Sequence, residues 1–372
     1  MSNLQEKRVL LFAVDEFSQV CRMPKHLRAA GFRVAALAWK GNSLFLSTYL
    51  DEKYSFVRGA VKVKDFYPNL TKACELFKPD IIIPCDEVSV QALNSIYSAL
   101  AHIYPGSHKI KELITFSRGN PDFYDTVRHK HKSTRLAAKN GIRIPAQMPC
   151  SSLADVQSFA AEHGYPVVLK GAYGLSGSQV AIFQSFACAK KVEHKFGGSN
   201  EKVVQQYIAG KPVGCTASAL GGKVFAAGVF KYEVCVGDGT GYSTVVRFID
   251  HPEIIEQTRK FAAATGISGI FTLDFMLDAQ NKSYLIECNP RPIESSHQGR
   301  LTGVKILEAL YLGLNGQPYE GNPQFETVIA HFPKEWRRDP DSDYLKNAIH
   351  DVPWDEPALI EHFTSNTKSL QP

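Results

Sequence analysis

Short apolar runs and helical segments alternate along the first part of the chain, the pattern of a parallel sheet flanked by helices. Arg8 to Val14 reads as a buried strand, Pro24 to Ala30 as a helix stopped by Gly31, and Phe32 to Ala38 as a second strand. Later, Lys78-Pro79-Asp80-Ile81-Ile82-Ile83-Pro84-Cys85-Asp86-Glu87 predicts a strand that ends in two acids, followed by a helix from Val88 to Leu100. Ligands bind at the carboxyl ends of such strands. The turn after the first strand, Asp15-Glu16-Phe17-Ser18-Gln19-Val20, holds no glycine, so the Gly-x-Gly-x-x-Gly fingerprint is missing. That argues against a nicotinamide dehydrogenase.

From Arg128 the pattern changes to a basic helical segment that stops at Gly141, then Ile142-Arg143-Ile144-Pro145 and a second helix ending near Gly164. Tyr165 to Val180 reads as strand, glycine-rich loop, strand. Gly174, Ser176, Gly177 and Ser178 let the loop backbone approach phosphate oxygens and donate N–H groups, although on its own such a loop is more often a flexible hairpin. No Gly-Lys-Ser/Thr follows, so it is not a Walker A loop. Lys170, at the end of the apolar Val167-Val168-Leu169, is directed inward and calls for an anionic partner.

Two further strands, Phe271 to Leu277 and Ser283 to Arg291, flank a polar turn from Asp278 to Lys282. Alternation places Glu287 and Asn289 on one face with Leu285 beside them, and Ile286 and Cys288 on the other. Asp274 joins Glu287 and Asn289 across the hairpin. Two carboxylates and an amide oxygen are hard ligands suited to magnesium, which reaches outward to nucleotide phosphates. The plainer reading is a polar strand end, but each polar group buried unpaired in an apolar strand costs about 1–3 kcal/mol. The carboxyl-terminal stretches Phe332 to Pro340 and His350 to Pro357, rich in proline and charge, read as an irregular tail packed through Trp336 and Trp354.

A length of 372 residues predicts two or three domains or subdomains. Forty-two basic against 37 acidic residues leave a mild +5 with no long basic run, so nucleic acid is not expected as a partner. Eight cysteines are scattered without Cys-x-x-Cys spacing and look like reduced core residues. The polar amino terminus shows neither a signal peptide nor a membrane span, which predicts a soluble cytoplasmic protein.

Taken in order, these motifs resemble the ATP-grasp superfamily over about Arg8 to Leu314, and within it the stand-alone carboxylate-amine ligases related to the carbamoyl phosphate synthase large chain. The resemblance implies an α/β protein: a Rossmann-like pre-ATP-grasp domain (1–115), a two-lobed α+β ATP-grasp domain (116–318, lid lobe about 133–208) and the tail (319–372). It implies that Lys130 and Lys170 touch the ATP phosphates, with Gly174, Ser176, Gly177 and Ser178 closing as a lid. Gln205, Gln206, Tyr207 and Ile208 fall on the hinge strand that presents adenine, Gln205 standing where relatives often have an acid. Val213 stands where many relatives hold the ribose with an acid, so another residue must do that work.

Asp274, Glu287 and Asn289 match the magnesium ligands of two ions, for which manganese is a substitute, and Arg291 matches the arginine at the transferred phosphate. For the substrate, Asp86 and Glu87 face the expected cleft and hold a substrate ammonium, or simply cap the helix after them. Glu294, Ser295, Ser296 and His297 sit where relatives line the pocket, His297 as a general base or a hydrogen-bonding bystander. Arg247 binds a substrate carboxylate or pairs with Asp250 at the surface. The implied activity is formation of an acyl phosphate from a small-molecule carboxylate and its capture by an amine, by a protein that is often a dimer. A phosphotransferase or carboxylase, and a regulatory protein without turnover, remain as alternatives.

Overall fold

The computed structural model describes residues 4–16, 18–59, 62–100, 108–173, 180–191, 201–237 and 241–365. Strands β1 (Lys7–Phe12), β2 (Phe32–Trp39), β3 (Glu52–Phe56) and β4 (Ile81–Pro84) form a parallel sheet in the order β3-β2-β1-β4. β1 and β2 are apolar almost throughout because helices cover both faces of the sheet. Alternate residues serve opposite cores: Val9 and Leu11 join one with Leu27, while Leu10 and Phe12 join the other with Phe66, Leu70 and Leu93. The helix Met23–Ala30 stops at Gly31, whose φ of 112° favours glycine. A Cβ there would also meet the Tyr311 ring at 2.8 Å.

Strands β5 (Gln147–Cys150), β6 (Val167–Gly171), β7 (Val180–Phe183) and β8 (Lys202–Gln206) form an antiparallel sheet in the order β5-β8-β6-β7. Val156, Phe159 and Ala160 of the helix Leu153–His163 pack on its apolar positions Val167, Leu169 and Val204. The glycine-rich loop residues Gly174, Ser176, Gly177 and Ser178, between β6 and β7, lie outside the described residues. The basic segment from Arg128 to Gly141 is the helix Lys130–Lys139, preceded by a short separate helix. Tyr124–Arg128 and Lys130–Lys139 are separate, with extended His129 between them accepting from the Lys132 N–H.

The largest sheet comprises β9 (Gly210–Leu220), β10 (Lys223–Cys235), β11 (Ser243–Ile249), β12 (Gly269–Asp278), β13 (Ser283–Asn289), β14 (Val328–His331) and β15 (Ile349–Asp351). Its order is β13-β12-β9-β10-β11-β14-β15, antiparallel except for the parallel pair β14–β15. One face buries Val213, Cys215, Phe271, Leu273 and Phe275 against Ile254 and Phe261 of the helix Pro252–Thr265.

The carboxyl-terminal stretch is therefore not an irregular tail. Its two strands extend this sheet, and Leu359 and Phe363 of the helix Pro357–Ser365 enter the core beneath β1. Strands of four and three residues are too short to show an alternation in sequence. Trp336 does pack, edge-on to Phe332 and His350, but Trp354 stands 76% exposed.

β15 is tied by buried charge to the turn before the helix Met23–Ala30. The Asp351 carboxylate lies 2.9 Å from the Arg22 guanidinium and 2.8 Å from His297 Nε2, and accepts from Gln298 at 3.1 Å. Replacing Asp351 by alanine leaves Arg22 buried without its counter-charge, so Asp351→Ala should cost about 3–5 kcal/mol of unfolding free energy. Urea denaturation measures it, and a loss below about 1 kcal/mol, the range of an exposed pair, would contradict this assignment.

Candidate active site

β12 and β13 pair with Asp274 opposite Glu287 and Thr272 opposite Asn289, but the register slips between Asp274 and Phe275, which faces Leu285. Ile286 is the extra residue of a β-bulge, and a bulge breaks the alternation of faces. Ile286, Glu287 and Asn289 thus line a cleft of about 550 Å³, while Leu285 and Cys288 sink into the core. The expected faces of Leu285 and Ile286 are exchanged.

The cleft brings Lys130, Lys170, Asp274, Glu287, Asn289 and Arg291 together. The Asn289 amide nitrogen donates to Asp274 at 2.8 Å and to Glu287 at 3.4 Å, so the three side chains converge on one point. Burial and the neighbouring Glu287 charge raise Asp274, whereas at Glu287 the effect of burial is outweighed by Lys130 and Lys170, which hold it ionised. The Lys130 ammonium lies 2.8 Å from Glu287. It is carried at the first turn of its helix, next to His129, and its own N–H donates to Ala172 just beyond β6.

Lys170, 8% exposed, is pushed down to about 8 by burial, with Glu287 and Asp274 acting on it only through space. A buried amine without a contacting carboxylate among the described residues is matched to an anion from outside the chain.

Tyr232 was not singled out by the sequence, yet it is the partner of Asp274, donating to it at 2.7 Å. Burial first, then Asp274, pushes its phenol well above the usual range, so it remains a donor. Gly214 on β9 makes this possible, because a Cβ there would collide with the Tyr232 hydroxyl. A Tyr in a strand is ordinarily a packing residue, which is why no sequence signal marks it.

Beside these charges the cleft has apolar walls from Pro145, Val168, Val180, Ile182, Met276 and Ile286. Gln205, Gln206, Tyr207 and Ile208 line the same region. The Gln205 amide donates to Gln147 at 3.1 Å, the Gln206 side chain accepts from the Ala146 N–H at 3.4 Å, and Tyr207 and Ile208 lie beyond the end of β8. Val213 is fully buried in the core on the other face.

The remaining expected residues divide. Glu87 does not line the cleft; it lies 3.2 Å from Arg291 and 3.6 Å from Arg128, joining the first sheet to the arginine. Asp86 is a buried cap, accepting from the backbones of Ser89 at 2.7 Å and Val14 at 2.9 Å. Arg247 is held by Glu233 at 2.7 Å and Glu326 at 3.3 Å, with neither the cleft position nor the Asp250 partner expected of it.

Ser296 accepts nothing from the cleft and instead caps its own turn at the Ile293 N–H, and His297 belongs to the Asp351 network. Glu294 and Ser295 do line the cleft, and Glu294 meets His331 and Lys334 from the stretch that had read as tail. Among the described residues no three His, Cys, Asp or Glu side chains gather as a metal cluster, so the donor set here is two carboxylates and an amide. That set fits a hard divalent cation rather than a soft one.

Residues 127–295 match the protein family described as ATP-grasp domain. Multifunctional protein pyr-3 of Neurospora crassa is 24% identical over 221 residues, 56% of this chain but only 12% of that protein, so the chain spans a small part of this relative's length. The structure of N5-carboxyaminoimidazole synthetase from Staphylococcus aureus complexed with ADP superposes with a TM-score of 0.65 at 15% identity, over 91% of this chain and 88% of that one. L-amino acid ligase from Bacillus licheniformis superposes with a TM-score of 0.63 at 16% identity, over 87% and 79%. At such identities the superpositions establish the fold. The chain therefore carries an ATP-grasp domain over residues 127–295 and is related through it to the ATP-grasp superfamily.

Proposed function

We propose that this chain is an ATP-dependent ligase that activates a small-molecule carboxylate as an acyl phosphate and joins it to an amine, releasing ADP and phosphate. The observation that carries this reading is the convergence of Lys130, Lys170 and Arg291 with Asp274, Glu287 and Asn289 beside an apolar slot in one cleft. Its volume of about 550 Å³ suits a nucleotide and a small second substrate.

Adenine fits the slot between Val168, Val180, Ile182 and Met276, with Tyr207 and Ile208 offering backbone groups at its edge. Lys130 and Lys170 bind the phosphates as point charges. Asp274, Glu287 and Asn289 would hold magnesium, which when bound supplies charge neutralisation for phosphoryl transfer. Tyr232 orients Asp274, and the Asn289 amide turns its oxygen to the site when a cation takes the place of its present hydrogen bonds. Arg291 receives the substrate carboxylate, steadies the transferred phosphoryl group and then the oxyanion formed when the amine attacks. Glu87 fixes the guanidinium from below.

Purified protein with magnesium ATP, a panel of amino acids and small carboxylates, and hydroxylamine should release ADP and form a hydroxamate. AMP and pyrophosphate as products would contradict the acyl phosphate route. Glu287→Gln removes a carboxylate between two lysines, and turnover should fall more than about 100-fold with the fold retained; unchanged ADP production would remove Glu287 from the site.

The position of Lys170 at about 8 sets a pH dependence. Its cationic form, the one that attracts phosphate, prevails below that value and is lost as pH rises through it. ADP affinity measured by calorimetry should weaken across this range in the wild type, and Lys170→Met should bind weakly with no inflection. An inflection that persists in Lys170→Met would assign the titration elsewhere.

A further inference from the structure

The family match ends at residue 295, but the cleft does not. Its lining goes on to His331 at the end of β14 and Lys334 at the start of the helix Lys334–Arg338, both buried and both directed at Glu294. Lys334 Nζ lies 2.5 Å and His331 Nδ1 3.1 Å from the same carboxylate oxygen, Oε2. The other neighbour of His331 Nδ1 is the Ser243 carbonyl at 3.4 Å, so both partners of this nitrogen are acceptors and it carries the ring proton. The Lys334 ammonium also sits 4.8 Å from the Tyr242 ring centre, which fixes it from the side.

The second oxygen of Glu294, Oε1, has no hydrogen-bond partner among the described residues and is not sealed from solvent, in a side chain that lines the cleft. A buried carboxylate with one oxygen held by the Lys334 ammonium and close to His331 Nδ1, and the other open, is oriented to accept from a ligand. Burial would raise Glu294, but His331 and Lys334 outweigh it and hold the group at about 2, so it acts as a fixed negative charge and not as a proton acceptor. Arg291, three residues earlier and lining the same cleft, supplies the opposite charge.

We propose that Glu294 Oε1 is the receptor for a substrate ammonium group, with His331 and Lys334 as positioning residues, so that the carboxylate-bearing substrate is an amino acid. This rests on the ligase reading for the role of Arg291. The ammonium is held by Glu294 while its carboxylate turns to Arg291, and the residues beyond the family match set which acid is accepted. A zwitterion meets an acid and a cation without leaving either unpaired, whereas a simple carboxylate leaves Glu294 Oε1 unmatched in the occupied cleft.

The test is binding of the standard amino acids and the corresponding 2-hydroxy acids to the wild-type protein in saturating magnesium ADP, by calorimetry. At least one amino acid should bind, and its 2-hydroxy analogue roughly 10–100-fold more weakly, the range for a hydrogen bond to a charged group. Glu294→Gln should lose that discrimination while binding magnesium ADP as the wild type does. Lys334→Met should weaken the amino acid similarly, and Lys334→Arg should restore it, which a merely structural lysine would not require. Equal affinity for the two series, no binding by any amino acid, or undiminished discrimination in Glu294→Gln would overturn the proposal. Magnesium ADP binding is read in the same experiment, so a failure of the nucleotide site is seen separately from a failure at Glu294.

Discussion

The site depends on one ion pair, Lys130 with Glu287 at 2.8 Å, set in a cleft where neither partner is well solvated. Two carboxylates, Asp274 and Glu287, face each other across β12 and β13, and bringing like charges together out of water is costly. Lys130 holds Glu287 ionised, Tyr232 and the Asn289 amide satisfy Asp274, and Lys170 adds a second positive charge without contact. The arrangement leaves an amine in excess of the carboxylates that touch it. A polyanion with its cation would complete that balance, which is what the proposed nucleotide supplies.

Each member of this group comes from a different part of the chain. Lys170 ends β6 in the small antiparallel sheet, Lys130 opens a helix beside it, and the acids belong to the large sheet. Motion of one sheet against the other would therefore change the distance between Lys170 and the acids. Arg291 is tied in another direction, through Glu87 to the helix after β4 of the parallel sheet. The carboxyl-terminal segment adds His331 and Lys334 to the cleft and reaches the turn after β1 through Asp351 and Arg22.

The strands and helices of the first 100 residues were legible because runs such as Val9-Leu10-Leu11-Phe12 and Ile81-Ile82-Ile83 are bounded by turn residues, and Gly31 marks a helix end. The residues of the central site were legible as well, because Glu-x-Asn inside an apolar strand and Lys at the end of another are hard to explain by packing alone. Which way each side chain faces was not, since a single extra residue at Ile286 reverses the pattern. His297 and His331 show the same difficulty for the substrate end. The first follows β13 closely in sequence but is buried against Asp351, and the second arrives from a four-residue strand with no periodicity to announce it. Such long-range contacts are decided by sheet order, which the chain's local pattern does not contain.

The most direct measurement of the central claim is electron paramagnetic resonance of Mn2+ with ADP, comparing the wild-type protein with the double variant Asp274→Asn, Glu287→Gln. Loss of two ionised ligands predicts a bound, anisotropic Mn2+ signal in the wild type and at least about 100-fold weaker Mn2+ binding in the variant. Equal Mn2+ affinity in the two proteins would place the cation elsewhere and contradict the account.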